Sequence, residues 1–162
     1  MLEVGELETR VQTVETQLEA LAAQTPVVER LRPIPGIGLL TATALVGFVG
    51  NVSRFPSGRH FACYLGLTPR EHSSGGRRSL VGRISTRGDA YLRMLLIHGA
   101  RAVLWGAKSK SNPDRFRSWA LDVQQRRGHN KAATAVANTM ARIVWAVWKF
   151  GKPFESCSQA TA

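Results

Sequence analysis

Residues 66–89, GLTPREHSSGGRRSLVGRISTRGD, are polar and glycine-rich and carry five arginines with no hydrophobic period. Nothing in the stretch recurs at the spacing of a buried helix face, so the rest of the chain reads as scaffold around it. Long segments without periodic structure are uncommon inside compact domains, and are either functional or disordered. This one lies between two apolar helical patterns, which favours function. Its centre, Ser73-Ser74-Gly75-Gly76-Arg77-Arg78, sets two hydroxyls beside two residues without side chains and two guanidinium forks. Those are the parts a phosphodiester site needs.

Charge points the same way. The formal net charge is +11, and its distribution matters more than its size. Residues 1–29 hold one basic residue, Arg10, against six glutamates, whereas residues 30–162 hold 21 basic and five acidic residues. A block of that sign suits a polyanion, because each neutralised phosphate releases condensed counterions. Seventeen of the 22 basic residues are arginine, whose planar fork matches phosphate oxygens and stacks on bases. Nucleic acid is the leading partner; a basic surface kept for solubility is the alternative. Cys63 and Cys157 lie too far apart in kind and place to suggest a disulfide framework or a zinc site, so a reducing, cytoplasmic setting is expected. No apolar run reaches membrane-spanning length, and the acidic, amphipathic first residues lead to the expectation of no signal peptide.

At 162 residues with 44% hydrophobic content, the chain can bury one core and carry an appendage. Val4, Leu7, Val11, Val14, Leu18 and Leu21 recur at alternating spacings of 3 and 4, a narrow heptad seam. The seam reads as one arm of a coiled coil, hence a homo-oligomer; an amphipathic helix folded back on the core is the alternative. Thr25-Pro26 breaks it. Arg32-Pro33-Ile34-Pro35-Gly36-Ile37-Gly38 then precedes a small-residue apolar helix over residues 39–49. Helix, Pro-Gly-Ile-Gly, helix resembles a helix-hairpin-helix motif, in which Gly36 and Gly38 would let backbone approach a phosphate; a tight turn between packed helices is the other reading. Ser57 is a candidate cap for the next helix, and Asp89 for one running to about residue 105. Asn112-Pro113 marks a further start, Gly128 its end, and a final helix is expected over about residues 132–150.

The expected fold is all-α. It comprises a coiled-coil arm at residues 1–25, a compact helical domain at residues 26–155 with the helix-hairpin-helix-like motif and a long Arg/Gly/Ser loop, and a flexible tail at residues 156–162. Within the loop only residues 80–84 hint at a hairpin. Ser73 or Ser74 could attack a phosphodiester, with Arg70, Arg77 and Arg78 on the developing charge and Gly75 and Gly76 giving close approach. A serine in a glycine-rich loop is more often a turn residue. His72 suits a phosphate contact or a plain surface position. The acids and histidines show no metal-ligand spacing. His98 and the four tryptophans, Trp105, Trp119, Trp145 and Trp148, read as core residues rather than base-stacking platforms.

The segments IPGIG, FACYLGLTPREHSSGG and GRISTRGDAYLRMLLIHGARAVL together resemble the C-terminal transposase region of the IS-110-type insertion-sequence transposases, also called the IS-116/IS-902 family. The likeness spans nearly all of residues 28–155. It implies that the serine preceding glycine, here Ser74, is the nucleophile and forms a covalent phosphoserine link to DNA, with Ser73 the second choice. Arg83 and Arg87 join Arg70, Gly75, Gly76, Arg77, Arg78, Gly36 and Gly38 as expected nucleic-acid contacts. The family places a RuvC-like domain with a DEDD site for Mg2+ before a coiled coil and this region, and uses a guide (bridge) RNA. That domain is missing from this sequence, so no cofactor is expected on the chain itself. The expectation is a prokaryotic, nucleoid-associated fragment of a recombinase, inactive alone, with a non-catalytic helix-hairpin-helix DNA- or RNA-binding regulator as the alternative.

Overall fold

The computed structural model describes residues 2–74 and 77–155, without the side chains of residues 2–3 and 71–83. The expected tail at residues 156–162 and the Gly75-Gly76 pair lie outside the described residues. The described chain is mostly helical, as expected, with seven α-helices and one two-stranded sheet.

The body is built on α7 (His129–Phe150), whose Ala132, Ala133, Val136, Ala137, Met140, Ala141, Val144 and Val147 are buried. Four of those eight are alanines, so neighbouring helices approach closely along a face broader than one stripe. Against it pack α2 (Pro26–Leu31), α4 (Gly58–Tyr64), α5 (Ala90–Lys108) and α6 (Arg115–Arg127). At α4 the fit is backbone to backbone: a Cβ on Gly58 would lie 3.1 Å from Arg142 Cα. The Trp145 indole N–H donates to the Phe55 carbonyl at 3.1 Å, which fixes the segment before α4 to the same helix. Fully burying each Val, Leu or Met contributes about 1.5–3 kcal/mol, and Leu92, Leu96, Leu104, Met140, Val136 and Val144 all lie below 2% exposure.

Helix starts follow their caps. Ser57 accepts from the His60 N–H and Asp89 from the Leu92 N–H at 2.8 Å, both as expected. The cap of α6 differs: it is Asp114, not Asn112, and it accepts from the Arg117 N–H at 2.8 Å. Its carboxylate also pairs with the Arg117 side chain, so one anion serves the helix N-terminus and a cation together. Helix α7 starts at His129, three residues before the expected position, because Gly128 alone turns the chain between α6 and α7.

Helix α1 (Leu2–Ala23) packs on α2 and α3 (Leu39–Val49), with Ala22 buried and Leu18 half-buried. The rest of the seam, Val4, Leu7, Val11, Val14 and Leu21, is 53–59% exposed. Arg32 ties the joint through Glu19 at 2.9 Å and Glu29 at 3.1 Å. Those hydrogen bonds, Glu29 first and Glu19 second, raise the Arg32 pKa and hold the guanidinium in its charged form. Between α1 and α3 runs an apolar groove of about 510 Å³, bordered by Leu18, Leu21, Leu40, Val46 and Phe48.

Candidate nucleic-acid interface

The arginine-rich stretch leaves the helical body through a narrow neck. Gly66 and Gly88 have φ of +71° and +110°, a region that favours glycine. Space forbids a side chain as well: a Cβ on Gly66 would lie 2.3 Å from the Arg87 carbonyl oxygen, and one on Gly88 1.9 Å from that of Tyr64. Each glycine thus admits the opposite strand of the neck. Thr86, between them in the chain direction, takes φ +51°, uncommon for a β-branched residue and a strain of the sort found near functional sites. The neck is anchored below by buried Leu65 and Leu67, by Arg93 Nη1 donating to the Leu65 carbonyl at 3.4 Å, and by Asn138 Nδ2 donating to that of Leu67 at 3.2 Å.

Beyond the neck the chain forms an antiparallel hairpin rather than a long irregular loop. Strand β1 (Pro69–Ser74) pairs with β2 (Arg77–Ile84), with an irregularity between Pro69 and Arg70. The register sets Ser74 opposite Arg77, Ser73 opposite Arg78, His72 opposite Ser79 and Arg70 opposite Val81. Among the described residues no helix packs along the hairpin, which accounts for the lack of an apolar period in its sequence. Both candidate serines and Arg77, Arg78 and Arg83 therefore lie within the strands, and Arg70 and Arg87 are exposed near the base.

The Pro-Gly-Ile-Gly turn lies elsewhere, between α2 and α3. Ile34 and Ile37 are buried, and a Cβ on Gly36 would meet the Gly99 carbonyl oxygen at 2.6 Å and Met140 Cε at 2.7 Å. The close approach that Gly36 permits is thus to the backbone of α5. Gly38 is exposed with no atom within 4 Å of a Cβ, and it caps α3. The two glycines of one motif have different surroundings.

Tertiary structure brings further residues to the hairpin base. The N-terminal half of α7 faces the hairpin base across a cleft of about 710 Å³, bordered by Pro69, Ile84, Trp119, Asn130, Lys131 and Thr134. Asn130, Thr134 and Asn138 recur every four residues along α7, and that polar row is the signal the sequence offers. Two expectations are corrected. His98 is exposed rather than a core histidine, and Trp105 is 80% exposed rather than a core tryptophan, because both fall on the side of α5 turned away from Leu92, Leu96 and Leu104. Trp119, Trp145 and Trp148 do pack partly buried against the core. Among the described residues no group of three His, Cys, Asp or Glu side chains is gathered to hold a metal ion, and no helix is long and apolar enough to cross a membrane.

The fold and this site define a helical domain that carries a basic two-stranded hairpin on a glycine neck. Residues 28–119, which include that neck and hairpin, match the family described as "Transposase IS116/IS110/IS902 family", and the chain belongs to it. A "Probable family 20 transposase" of Pseudomonas aeruginosa is 44% identical over 145 residues, 90% of this chain and 42% of that protein. The "Transposase for insertion sequence element IS1111A" of Coxiella burnetii is 43% identical over 133 residues, 82% of this chain and 36% of that protein. The "Pilin gene-inverting protein" of Moraxella lacunata is 30% identical over 126 residues, 77% of this chain and 38% of that protein. The chain thus spans about two-fifths of the length of the relatives it matches.

Proposed function

We propose that this chain is the DNA-binding and serine-nucleophile part of an insertion-sequence transposase. The observation that carries the reading is the hairpin register, in which Ser74 pairs with Arg77 and Ser73 with Arg78 beyond a neck that only glycines can close. Membership in the transposase family supplies the chemistry that such a pairing serves. Ser74 Oγ attacks phosphorus and a P–O bond to a sugar breaks. The serine proton leaves to a base or water, and the departing sugar oxygen takes up a proton as the phosphoserine ester forms. Attack on that ester by a second sugar hydroxyl releases Ser74 and joins the strands. Arg70, Arg77, Arg78, Arg83 and Arg87 offset the charge on the non-bridging oxygens. Gly75 and Gly76 would give the phosphate access to backbone. Mg2+ belongs in this scheme to a separate RuvC-like domain acting in trans.

The exposed seam of α1 supports assembly of copies through a coiled coil, which would set hairpins and acidic domains of different subunits side by side. A bridge RNA is a further partner suited to the basic surface, in the cytoplasm near the nucleoid. Exposed Gly38 at the start of α3 favours a second reading, a helix-hairpin-helix module that binds DNA or RNA without cleaving it.

A trapping assay separates the two. Labelled DNA is mixed with this chain, the acidic domain, metal and guide RNA, then run on a denaturing gel beside Ser73→Ala and Ser74→Ala. A denaturation-resistant adduct lost only with Ser74→Ala is expected. An adduct that survives Ser74→Ala would sink the assignment, and intact DNA binding with no adduct, when a full-length relative gives one, would favour the binding module.

A further inference from the structure

We propose that the cleft between α5 and the α6–α7 junction is a second nucleic-acid contact, one that takes an unpaired nucleotide by stacking its base on Trp105. The inference rests on the nucleic-acid reading above. Trp105 is 80% exposed, whereas the other three tryptophans pack partly against the core. It belongs to an exposed row on α5, Tyr91, Met94, His98, Arg101, Trp105 and Lys108, spaced 3, 4, 3, 4 and 3 and about 25 Å long at the helical rise. Helix α5 contains no acidic residue. At the C-terminal end of the row, Arg101, Trp105 and Lys108 border a cleft of about 450 Å³ with Leu104, Gln124 and His129. Gln124 Nε2 and His129 Nδ1 are 2.8 Å apart, which closes the far wall with polar groups.

An open indole between two cations, with no carboxylate in the lining, matches a base between two phosphates. Duplex DNA offers no such base, since its faces are buried in its own stack, while single strands use aromatic platforms inside basic grooves. A protein partner covering the row would have to desolvate Arg101 and Lys108, and the lining offers them no anion. Trp105 lies fifteen residues into α5 from Ala90, about 22 Å from the neck, so it would hold a part of the nucleic acid other than the one at the hairpin.

The test uses the full chain with labelled oligo-dT, oligo-rU and a short blunt duplex, measured by fluorescence anisotropy. Trp105→Ala is expected to weaken single-strand binding about tenfold and duplex binding less than about twofold, and Trp105→Phe to restore most of the difference. Lys108→Gln should lower the salt slope of strand binding by about one ion. Loss on rU alone identifies RNA as the ligand, loss on dT alone identifies DNA, and loss on both identifies stacking indifferent to the sugar. Unchanged strand affinity in Trp105→Ala overturns the proposal while leaving the hairpin reading intact, as does an equal loss on strand and duplex. Wild-type chain that binds none of the three overturns both readings.

Discussion

Helices α1 and α7 each run 22 residues, and both carry regularly spaced apolar side chains, yet they end in opposite environments. Helix α7 buries eight residues and receives four other helices, whereas α1 leaves five seam positions more than half exposed. The difference is in the breadth and size of the apolar face. In α7, alanines flank the larger residues, so backbones approach from several directions and the stripe widens into a core. In α1, glutamates, glutamines and threonines flank a seam one residue wide, which suits a single partner helix. Periodicity alone therefore reports a helix; the residues beside the stripe report what can cover it.

Truncating the hub should produce the largest effect. Met140→Ala is expected to lower stability by about 3 kcal/mol, read from the urea midpoint at constant slope. If the loss were under about 1 kcal/mol, α7 would not be the centre of the core. Next comes the neck: Gly88→Ala combines a strained backbone with a collision against Tyr64, and about 2–4 kcal/mol is expected together with loss of nucleic-acid binding. Removing the cap with Asp89→Ala should cost about 1 kcal/mol and leave the urea slope unchanged. The smallest effect belongs to the arm. Val11→Ala should change the stability of the dilute chain by less than about 0.5 kcal/mol, as for an exposed position. At high concentration the same variant should shift sedimentation toward the monomer. A concentration-independent loss as large as that of Met140→Ala would mean that α1 is covered by its own body, and the contrast between the helices would fail.

Much of the helical framework was legible because its signals are local. Ser57 and Asp89 were readable as caps, since a short polar side chain before an apolar period has a backbone N–H three residues away to satisfy. Gly128 marked a helix end for a similarly local reason. Asp114 was missed because Asn112-Pro113 presents a plausible start two residues earlier; the ion pair with Arg117 adds to the later one. The hairpin reads as a loop in sequence, apart from the hint at residues 80–84, because strand periodicity appears when one face packs on another element, and among the described residues no helix packs along these strands. For the site, residue types were legible and neighbourhoods were not. That Ser74 and Arg77 would be cross-strand partners follows from a register, and that Asn138 would hold the Leu67 carbonyl follows from packing across 71 positions of chain.

By itself the sequence determined the helical class, the acidic N-terminal helix with its narrow seam, the basic remainder, and the family to which the chain belongs, because each depends on spacing, composition or ordered motifs within short windows. The tertiary structure alone decided that Gly36 meets Gly99 and Met140, that Gly66 and Gly88 close one neck, and that Trp105 stays outside. Those outcomes depend on which surfaces meet after folding, and a helix with apolar residues on two sides does not specify which side its neighbours will cover.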